Sequence, residues 1–450
     1  MFETQSSRKR LLLATTGLGT VMTTMSFLGV MSPASASTLT VNAPNTFARQ
    51  VASTGNATLS GSTVLLTTAG STLTGNFMTF ALPSGMTFAA NPSVGSSAGS
   101  TLGLTLSTGG SGAASIVYQI TTATSVSAAV SLTGLQVSGL QTYVSSNSTA
   151  VAFNITATMP NDTVTSASGA GTVIVANLTD AASTVMTIGA AQTIDVASGG
   201  NRFVSGTGTA LFAPLGIVTY TNAGSAPNDV GGSSPISMTS QGGTVTVSGS
   251  LTGISTVYAA TGVTTCATAA PTGAFTATPG ATSATLTGLS VAAFQVCAIA
   301  NGSSVLSNGT ISVRGGVTTS NNGTISGTTT SNAVGYSGTV RTHAYFVGVT
   351  GGYSTFGYAV NSGTSASTAL VSVRRSDGAT AIGSLASLAA GASALYGASD
   401  INTAVGSTFL GDSASRAQVT FLFGSSSVKM TGLLLNPTGI VTQMGTNFSD

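Results

Sequence analysis

Short runs in which apolar residues alternate with small polar ones recur along the chain, and this two-residue period limits the fold more than any other feature. Such runs occupy residues 77–82, 115–120, 244–249, 284–289 and 310–314. A period of two is typical of a strand with one buried face. Glycine-containing turns separate the runs about every 8 to 12 residues, a spacing typical of β-sandwiches. The sequence therefore predicts an all-β fold of two or three tandem, Ig-like β-sandwich domains.

Changes in composition suggest where these domains begin and end. We expect β-sandwich domains at residues 37–180, 181–314 and 339–450. A Thr/Asn/Gly/Ser-rich stretch at 315–338 predicts a linker or an exposed hairpin built around Asn322 and Gly323. The Pro- and Gly-rich residues 225–235 leave open a split of the second domain. A stacked parallel β-helix is disfavoured, because no repeat of coil length persists along the chain.

Two shorter patterns predict particular local structures. Asn308 and Gly309 supply the two positive-φ positions of a tight hairpin turn between short strands. Ser399 or Asp400 is a suitable N-cap for a short helix that starts near Ile401. These predictions place one hairpin beside the cysteines and one helix in the last domain.

The chain has two cysteines, Cys266 and Cys297, both within the second predicted domain. Two cysteines in one strand-rich block most simply form a disulfide. By the chain-entropy model, closing a loop of about 30 residues contributes roughly 3–4 kcal/mol to stability. A structural disulfide also indicates that the protein folds in an oxidising compartment.

The first 36 residues have the features of a signal peptide. Residues 8–10 are basic, residues 11–31 are largely apolar, and Ala34 and Ala36 fit a small-residue cleavage site. A retained membrane anchor is the alternative, because the apolar run is near spanning length. Cleavage after Ala36 is favoured, since a strand pattern begins directly afterwards. We therefore expect a secreted, cell-surface or extracellular protein with no transmembrane anchor after cleavage.

The predicted mature chain is almost uncharged. Of the 11 Lys and Arg and the 9 Asp and Glu in the full sequence, the leader holds three basic residues and Glu3. Eight basic and eight acidic residues remain, so the formal charge is zero. Charge normally keeps protein surfaces apart, and a neutral Ala/Gly/Ser/Thr-rich surface favours packing against copies of itself. Without a basic patch for phosphates, nucleic-acid binding is excluded as a function class.

The sequence offers no convincing catalytic or cofactor site. The mature chain lacks Glu, and its Asp residues are scattered, so neither a carboxylate pair nor a calcium loop is evident. His343 is the single histidine, and no orienting partner for a general base or companion metal ligand stands near it. We expect a protein that is not an enzyme and that needs no cofactor.

Two features of the last domain point to contacts with other molecules. Arg374 and Arg375 form the single pair of adjacent charges in the mature chain and face opposite sides of a predicted strand. They are candidates for contact with an anionic surface polysaccharide or a neighbouring subunit. The alternative is one solvent-facing Arg and one that lies along the surface beside Asp377. The aromatic residues of this domain favour a role in the core or in packing between subunits: Tyr345, Tyr353, Phe356, Tyr358 and Tyr396.

Five motifs follow one another in the second half of the chain, at residues 296–302, 339–345, 373–378, 388–393 and 433–437. They read Val-Cys-Ala-Ile-Ala-Asn-Gly, Thr-Val-Arg-Thr-His-Ala-Tyr, Val-Arg-Arg-Ser-Asp-Gly, Leu-Ala-Ala-Gly-Ala-Ser and Leu-Leu-Leu-Asn-Pro. Over about residues 244–450 the chain thereby resembles secreted, Ala/Gly/Thr-rich S-layer-type surface proteins of Gram-negative bacteria. The resemblance implies a crystalline or matrix-like coat on the outer membrane. Many such families use calcium, which this carboxylate-poor composition does not favour.

These observations lead to two functional hypotheses. The first is a structural cell-surface protein that self-assembles into an S-layer or extracellular matrix coat, with itself as its main partner. The alternative is a fimbrial or adhesive fibre subunit that adds an extended N-terminal strand, residues 38–41, to the next subunit.

Overall fold

The protein folds into paired β-sheets that follow one another along the chain as three units. The computed structural model describes residues 38–50, 56–59, 62–67, 74–96, 102–122, 129–147, 152–159, 169–205, 208–224, 235–261, 265–347, 352–406, 409–410 and 416–444. The predicted signal peptide and its cleavage site at Ala34 and Ala36 lie outside these residues. The all-β prediction is confirmed, because strands dominate every unit and the helices are short.

The first unit is a sandwich of three sheets. Its elements are β1 (Thr38–Val41), β2 (Asn45–Ala48), β3 (Ala57–Thr58), β4 (Val64–Thr67), β5 (Phe77–Ala81), β6 (Thr87–Phe88), β7 (Ser93–Ser96), β8 (Gly103–Gly109), β9 (Ser115–Thr122), β10 (Ala129–Thr133), β11 (Gln136–Ser138), α1 (Leu140–Ser146), β12 (Ala152–Met159) and β13 (Gly169–Thr179). The sheet orders are β1-β4-β10-β7, β3-β11-β6 and β2-β13-β12-β5-β9-β8. Alternate residues of the facing sheets, such as Leu132 and Phe80, meet in one buried core.

The second unit pairs a five-stranded with a seven-stranded sheet. Its elements are β14 (Ala182–Ile188), β15 (Gln192–Ile194), a 3₁₀ helix (Val196–Ser198), β16 (Phe203–Ser205), β17 (Gly208–Ala210), β18 (Phe212–Asn222), β19 (Met238–Gly249), β20 (Ile254–Thr261), β21 (Phe275–Ala277), β22 (Ser283–Leu289), β23 (Ala293–Ala300), β24 (Gly309–Thr319) and β25 (Thr324–Tyr336). The sheet orders are β14-β18-β23-β20-β21 and β17-β16-β15-β25-β24-β19-β22. Strands from both sides of residues 225–235 share each sheet, so the second unit is not split there.

The third unit pairs two four-stranded sheets. Its elements are β26 (Thr339–Val347), β27 (Ser354–Asn361), β28 (Ser367–Arg375), β29 (Thr380–Leu388), β30 (Ser393–Tyr396), α2 (Ala398–Val405), β31 (Arg416–Phe423), β32 (Val428–Leu435) and β33 (Val441–Met444). The sheet orders are β26-β31-β28-β29 and β30-β27-β32-β33. Phe421 and Val371 of the first sheet pack against Ala359 and Met430 of the second.

Residues 315–338 are not a linker. They form the end of β24 and the whole of β25, which pair antiparallel as a hairpin inside the seven-stranded sheet. Asn322 at the turn has φ 62°, the left-handed conformation that Asn tolerates better than most residues. Of the two predictions for this segment, a linker or a hairpin, the hairpin is the one that forms. The seven-stranded sheet of the second unit extends to Tyr336.

Two local predictions need correction. Asn308 and Gly309 do not join two strands of a hairpin, because residues 301–308 form a loop and β24 begins at Gly309. Helix α2 forms, but its N-cap is Gly397. Asp400 lies in the first turn, where its carboxylate accepts a hydrogen bond from the Gly397 N–H at 2.8 Å. The side chain thus caps the helix from the N3 position, as in half of a capping box.

The units meet through specific contacts. At the first junction the Gln50 side chain donates to Asp180 Oδ1 (2.7 Å) and accepts from Ala181 N–H (2.9 Å), while Asn321 donates to the Gln50 carbonyl. At the second junction Val196 packs with Leu370 and Leu422 of the third unit in one buried cluster.

Candidate functional surfaces

The disulfide fixes a loop to the centre of the five-stranded sheet. Cys266, in the loop after β20, is joined to Cys297 of β23 with a Cα–Cα distance of 5.8 Å. Both cysteines are buried in a small cluster with Tyr258, whose hydroxyl accepts a hydrogen bond from Ala267 N–H at 2.8 Å. Since β23 lies between β18 and β20, the bridge attaches the loop to the most protected part of the sheet.

Charged side chains are sparse on the described surface. The ion pairs among the described residues are Arg49–Asp180 at 3.9 Å and Arg375–Asp377 at 3.0 Å. Both pairs are partly exposed, and such surface pairs contribute little to stability. Long stretches of the surface therefore present only hydroxyl, amide and apolar groups to solvent.

Arg374 and Arg375 have different surroundings at the end of β28. Arg374 is exposed on one face of the strand. Arg375, on the other face, pairs with Asp377 and lies over the Phe409 ring, 5.7 Å from its centroid. The structure therefore leaves Arg374 as the more accessible of the two cations, and the contact proposed for the pair stays a prediction.

His343 of β26 is buried between two aromatic rings. Its imidazole makes edge contacts with Phe346 and Phe421 at centroid distances of 6.1 and 5.9 Å. Burial lowers the pKa of His343 below its usual value, since an apolar environment disfavours the charged imidazolium. Within the described ranges no cluster of three His, Cys, Asp or Glu residues is placed to hold a metal ion.

Several strands at sheet edges carry no charged side chain. They are β1 and β7 in the first sheet, β8 in the six-stranded sheet, and β30 and β33 in the last sheet. Edge strands expose unpaired backbone N–H and C=O groups, and soluble proteins commonly guard them with Lys or Pro. The pairing of β8 with β9 is interrupted by register shifts at Gly103/Leu104 and Leu106/Thr108, irregularities of the kind that protect an edge strand. The pairing of β1 with β4 has no such interruption.

The aromatic cluster of the third unit divides between the inside and the outside. Tyr396 lies in the core, 5 % exposed, against Phe421 and Phe423. Tyr353 and Tyr358 are exposed. The period of two in β27 was the signal that could separate these positions, because it places Phe356 and Tyr358 opposite the buried Gly357 and Ala359.

These features define an all-β protein of paired antiparallel sheets with weakly charged surfaces. No family model matches the chain, and no curated protein matches it. Solved structures that match this chain weakly include the collagen adhesin of S. aureus at 12 % identity and a TM-score of 0.18, covering 67 % of this chain and 93 % of that one. Domains 4–9 of the surface layer protein SbsC are 12 % identical to this chain with a TM-score of 0.16. The match covers 69 % of this chain and 32 % of the SbsC chain.

A marsupial T cell receptor gives a TM-score of 0.22 at 8 % identity, covering 90 % of this chain and 98 % of that one. Among the described residues we find no apolar helix of the length that a membrane span requires.

Proposed function

We propose that the protein is a structural cell-surface component, not an enzyme, that assembles with copies of itself into an S-layer or extracellular matrix coat. The observation that carries the proposal is the scarcity of charge on a β-sheet surface, several of whose edge strands are also uncharged. Electrostatic repulsion between copies is then minimal, and backbone groups at the edges are accessible for pairing.

The proposed location is the outer surface of a Gram-negative bacterium, reached after removal of residues 1–36. The sequence resemblance over residues 244–450 supports this location. A polysaccharide of the outer membrane is the proposed anchor, with the exposed Arg374 as the contact for an anionic sugar. A calcium-dependent lattice is not part of the proposal, because the mature chain is poor in carboxylates.

Negative-stain electron microscopy of the purified mature protein tests the proposal. A self-assembling coat protein forms two-dimensional sheets or a continuous matrix as its concentration rises. A monodisperse monomer at every concentration would refute the proposal. Imaging the cell surface with and without the gene then tests the location.

A fibre subunit that assembles by strand addition is the second candidate function. It is favoured by the position of β1, which lies at a sheet edge near the N-terminus and is bonded on one side only, to β4. A strand held in this way can be exchanged for the β1 strand of another copy. Filaments in the microscope, and their loss on deletion of residues 37–45, would favour this candidate, whereas sheet formation should depend less on that segment.

A further inference from the structure

One sheet of the third unit, β30-β27-β32-β33, presents an outer face that is mostly apolar. The inward residues of β27 are Thr355, Gly357, Ala359 and Asn361, all of them buried. Alternation along the strands and the cross-strand register put the remaining residues on the other side of the sheet. We call this side the outer sheet face; it comprises Ser354, Phe356, Tyr358, Val360, Ser393, Leu395, Lys429, Thr431, Leu433, Leu435, Val441 and Gln443.

Large apolar side chains stand next to one another across this face. Tyr358 lies opposite Leu395, Phe356 opposite Leu433, and Leu435 opposite Val441. Leu395 is 56 % exposed and Val441 57 %. An antiparallel sheet with one solvated face normally shows polar residues there. The face carries a single charge, Lys429, in the end row with Ser393 and Val360.

The other sheet of the same unit, β26-β31-β28-β29, allows a comparison between outward-facing residues that are covered and those that solvent reaches. Its outward residues are polar where solvent reaches them, as at Ser372, Arg374 and Gln418. They are apolar at Leu370 and Leu422, which are buried under the second unit.

The contacts that cover Leu370 and Leu422 at that second junction are made by neutral groups. Val196 supplies the apolar contact, and Thr368 Oγ donates to the Val196 carbonyl at 2.7 Å. Val340, beside Leu422 and 38 % exposed, is an exception on that side. On this sheet, therefore, most outward-facing positions that are apolar are covered by the second unit.

We propose that the outer sheet face is covered by the same face of a second copy of this chain, as one contact of the assembly. The proposal rests on the proposed function and names the surface through which it operates. Two such faces can pack as sheets do within a β-sandwich, about 10 Å apart, around a two-fold axis. Each face then buries in its partner the apolar rows that solvent now reaches.

The size of the face fits one contact of a repeating coat. Two strands of about eight residues and two of about four cover roughly 400 Å² in plan at ordinary strand spacing. A stable isolated dimer commonly buries about 800 Å² per partner. The contact is therefore weak alone and effective where many copies bind simultaneously. A membrane surface is the less favoured occupant, because Lys429 is the single basic group and binding to anionic lipid takes several.

The first experiment measures the concentration at which the mature protein begins to assemble, by sedimentation and negative-stain microscopy. Leu395→Glu places a carboxylate beside Tyr358, on the edge strand β30 of the proposed contact. It should raise that concentration about tenfold or more, since a buried unpaired charge is costly. Gln418→Glu adds the same charge to the opposite side of the same unit and should leave assembly unchanged. Circular dichroism checks that both variants keep the native fold, which is expected because both residues are exposed.

The second experiment uses a cysteine at the middle of the face. Both native cysteines are in the disulfide, so Tyr358→Cys provides the reactive thiol and Gln418→Cys the control. A flexible bismaleimide should link copies through position 358 during assembly and not through position 418. This measurement keeps the proposal testable even if Leu395→Glu perturbs the fold.

The outcomes separate the two proposals. Wild-type protein that never assembles refutes the proposed function and this contact together. Wild-type assembly with unchanged Leu395→Glu refutes the contact and leaves the function standing. Loss of assembly in Leu395→Glu without cross-linking through position 358 also refutes the contact, because the outer sheet face would then be covered by a different surface. Flotation with lipopolysaccharide-containing vesicles that Leu395→Glu abolishes, with assembly intact, would assign the face to the membrane instead.

Discussion

Asn361 in β27 is fully buried and uses its whole side chain for hydrogen bonds. The amide group donates to the carbonyls of Ser365, Leu388 and Ala389 at 2.8–3.1 Å. The side-chain oxygen accepts from Gly363 N–H at 3.0 Å and from the Ser427 hydroxyl at 3.1 Å. One side chain thereby joins three loops at one end of the third unit.

Asn361→Leu should destabilise the third unit by about 2–4 kcal/mol, because several buried carbonyls lose their donor at once. Urea unfolding of the mature protein below its assembly concentration measures the change. Asn301→Ala is the control, since Asn301 makes similar hydrogen bonds to Ser303 and Ser304 at the exposed surface. Equal losses in the two variants would show that burial of the Asn361 network is unimportant.

The burial of His343 makes the stability of the third unit depend on pH on the acidic side of the usual histidine pKa. Its pKa is lowered in the folded state by desolvation, whereas the unfolded chain titrates near pH 6.5. Below about pH 6.5 the unfolded state therefore binds more protons than the folded state, so stability is lost as pH falls toward the folded-state pKa. Above about pH 6.5 both states are neutral at this residue, and stability is constant.

His343→Leu should remove this dependence, because the chain has no other histidine. Thermal unfolding followed between about pH 5 and pH 7 is the measurement. A slope that persists unchanged in the variant would contradict the assignment to His343.

At the scale of elements, alternation in the sequence predicts most strands correctly, and the failures have physical causes. β24 and β25 are predicted in part as a linker because the more buried positions of β25 include Gly327, Thr330 and Asn332 as well as apolar residues. The polar and glycine residues interrupt the apolar half of the alternating pattern. It is held by its neighbours, antiparallel to β24 and parallel to β15, and these pairings are set by the tertiary fold.

The candidate surfaces were predictable to a smaller extent. The low charge and the aromatic cluster are visible in the sequence, and the pairing of Cys266 with Cys297 follows from there being two cysteines. The outer sheet face requires the register between β27, β30, β32 and β33, because its rows combine residues from distant parts of the chain. The helix N-cap was predicted at Ser399 or Asp400, whereas it lies at Gly397, three residues before Asp400, because Gly397 lacks the side chain that marks a cap in the sequence.

The disulfide acts on the second unit through the loop that it closes. Cys266→Ala with Cys297→Ala should lower the free energy of unfolding by roughly 3 kcal/mol, because the unfolded chain regains the entropy of a loop with a sequence separation of 31. Urea unfolding of the second unit measures the loss. Reduced wild-type protein should match the variant, and an unchanged unfolding midpoint in both would contradict a stabilising role.

At the scale of the whole molecule, a regular coat requires that the units of each copy keep a fixed arrangement. Close backbone packing at the second junction provides such a constraint. A Cβ on Gly424 would lie 2.8 Å from Ala197 Cα and 2.6 Å from Thr368 Oγ. The Thr368 hydroxyl is the group that bonds the Val196 carbonyl. The absence of a side chain at position 424 therefore lets the two units approach closely enough to bury Leu370 and Leu422.

Gly424→Val should separate the second and third units without unfolding either, because the added atoms meet backbone at the junction and not the core of a sheet. We expect faster cleavage of the connection at residues 337–338 by a broad-specificity protease, a larger radius of gyration, and irregular aggregates in place of sheets. Gly335→Ala is the matched control, since a Cβ there meets nothing within 4 Å and the residue lies close to the same connection. If the two variants were cleaved at the same rate and assembled equally well, tight packing at Gly424 would have no part in fixing the arrangement of the units.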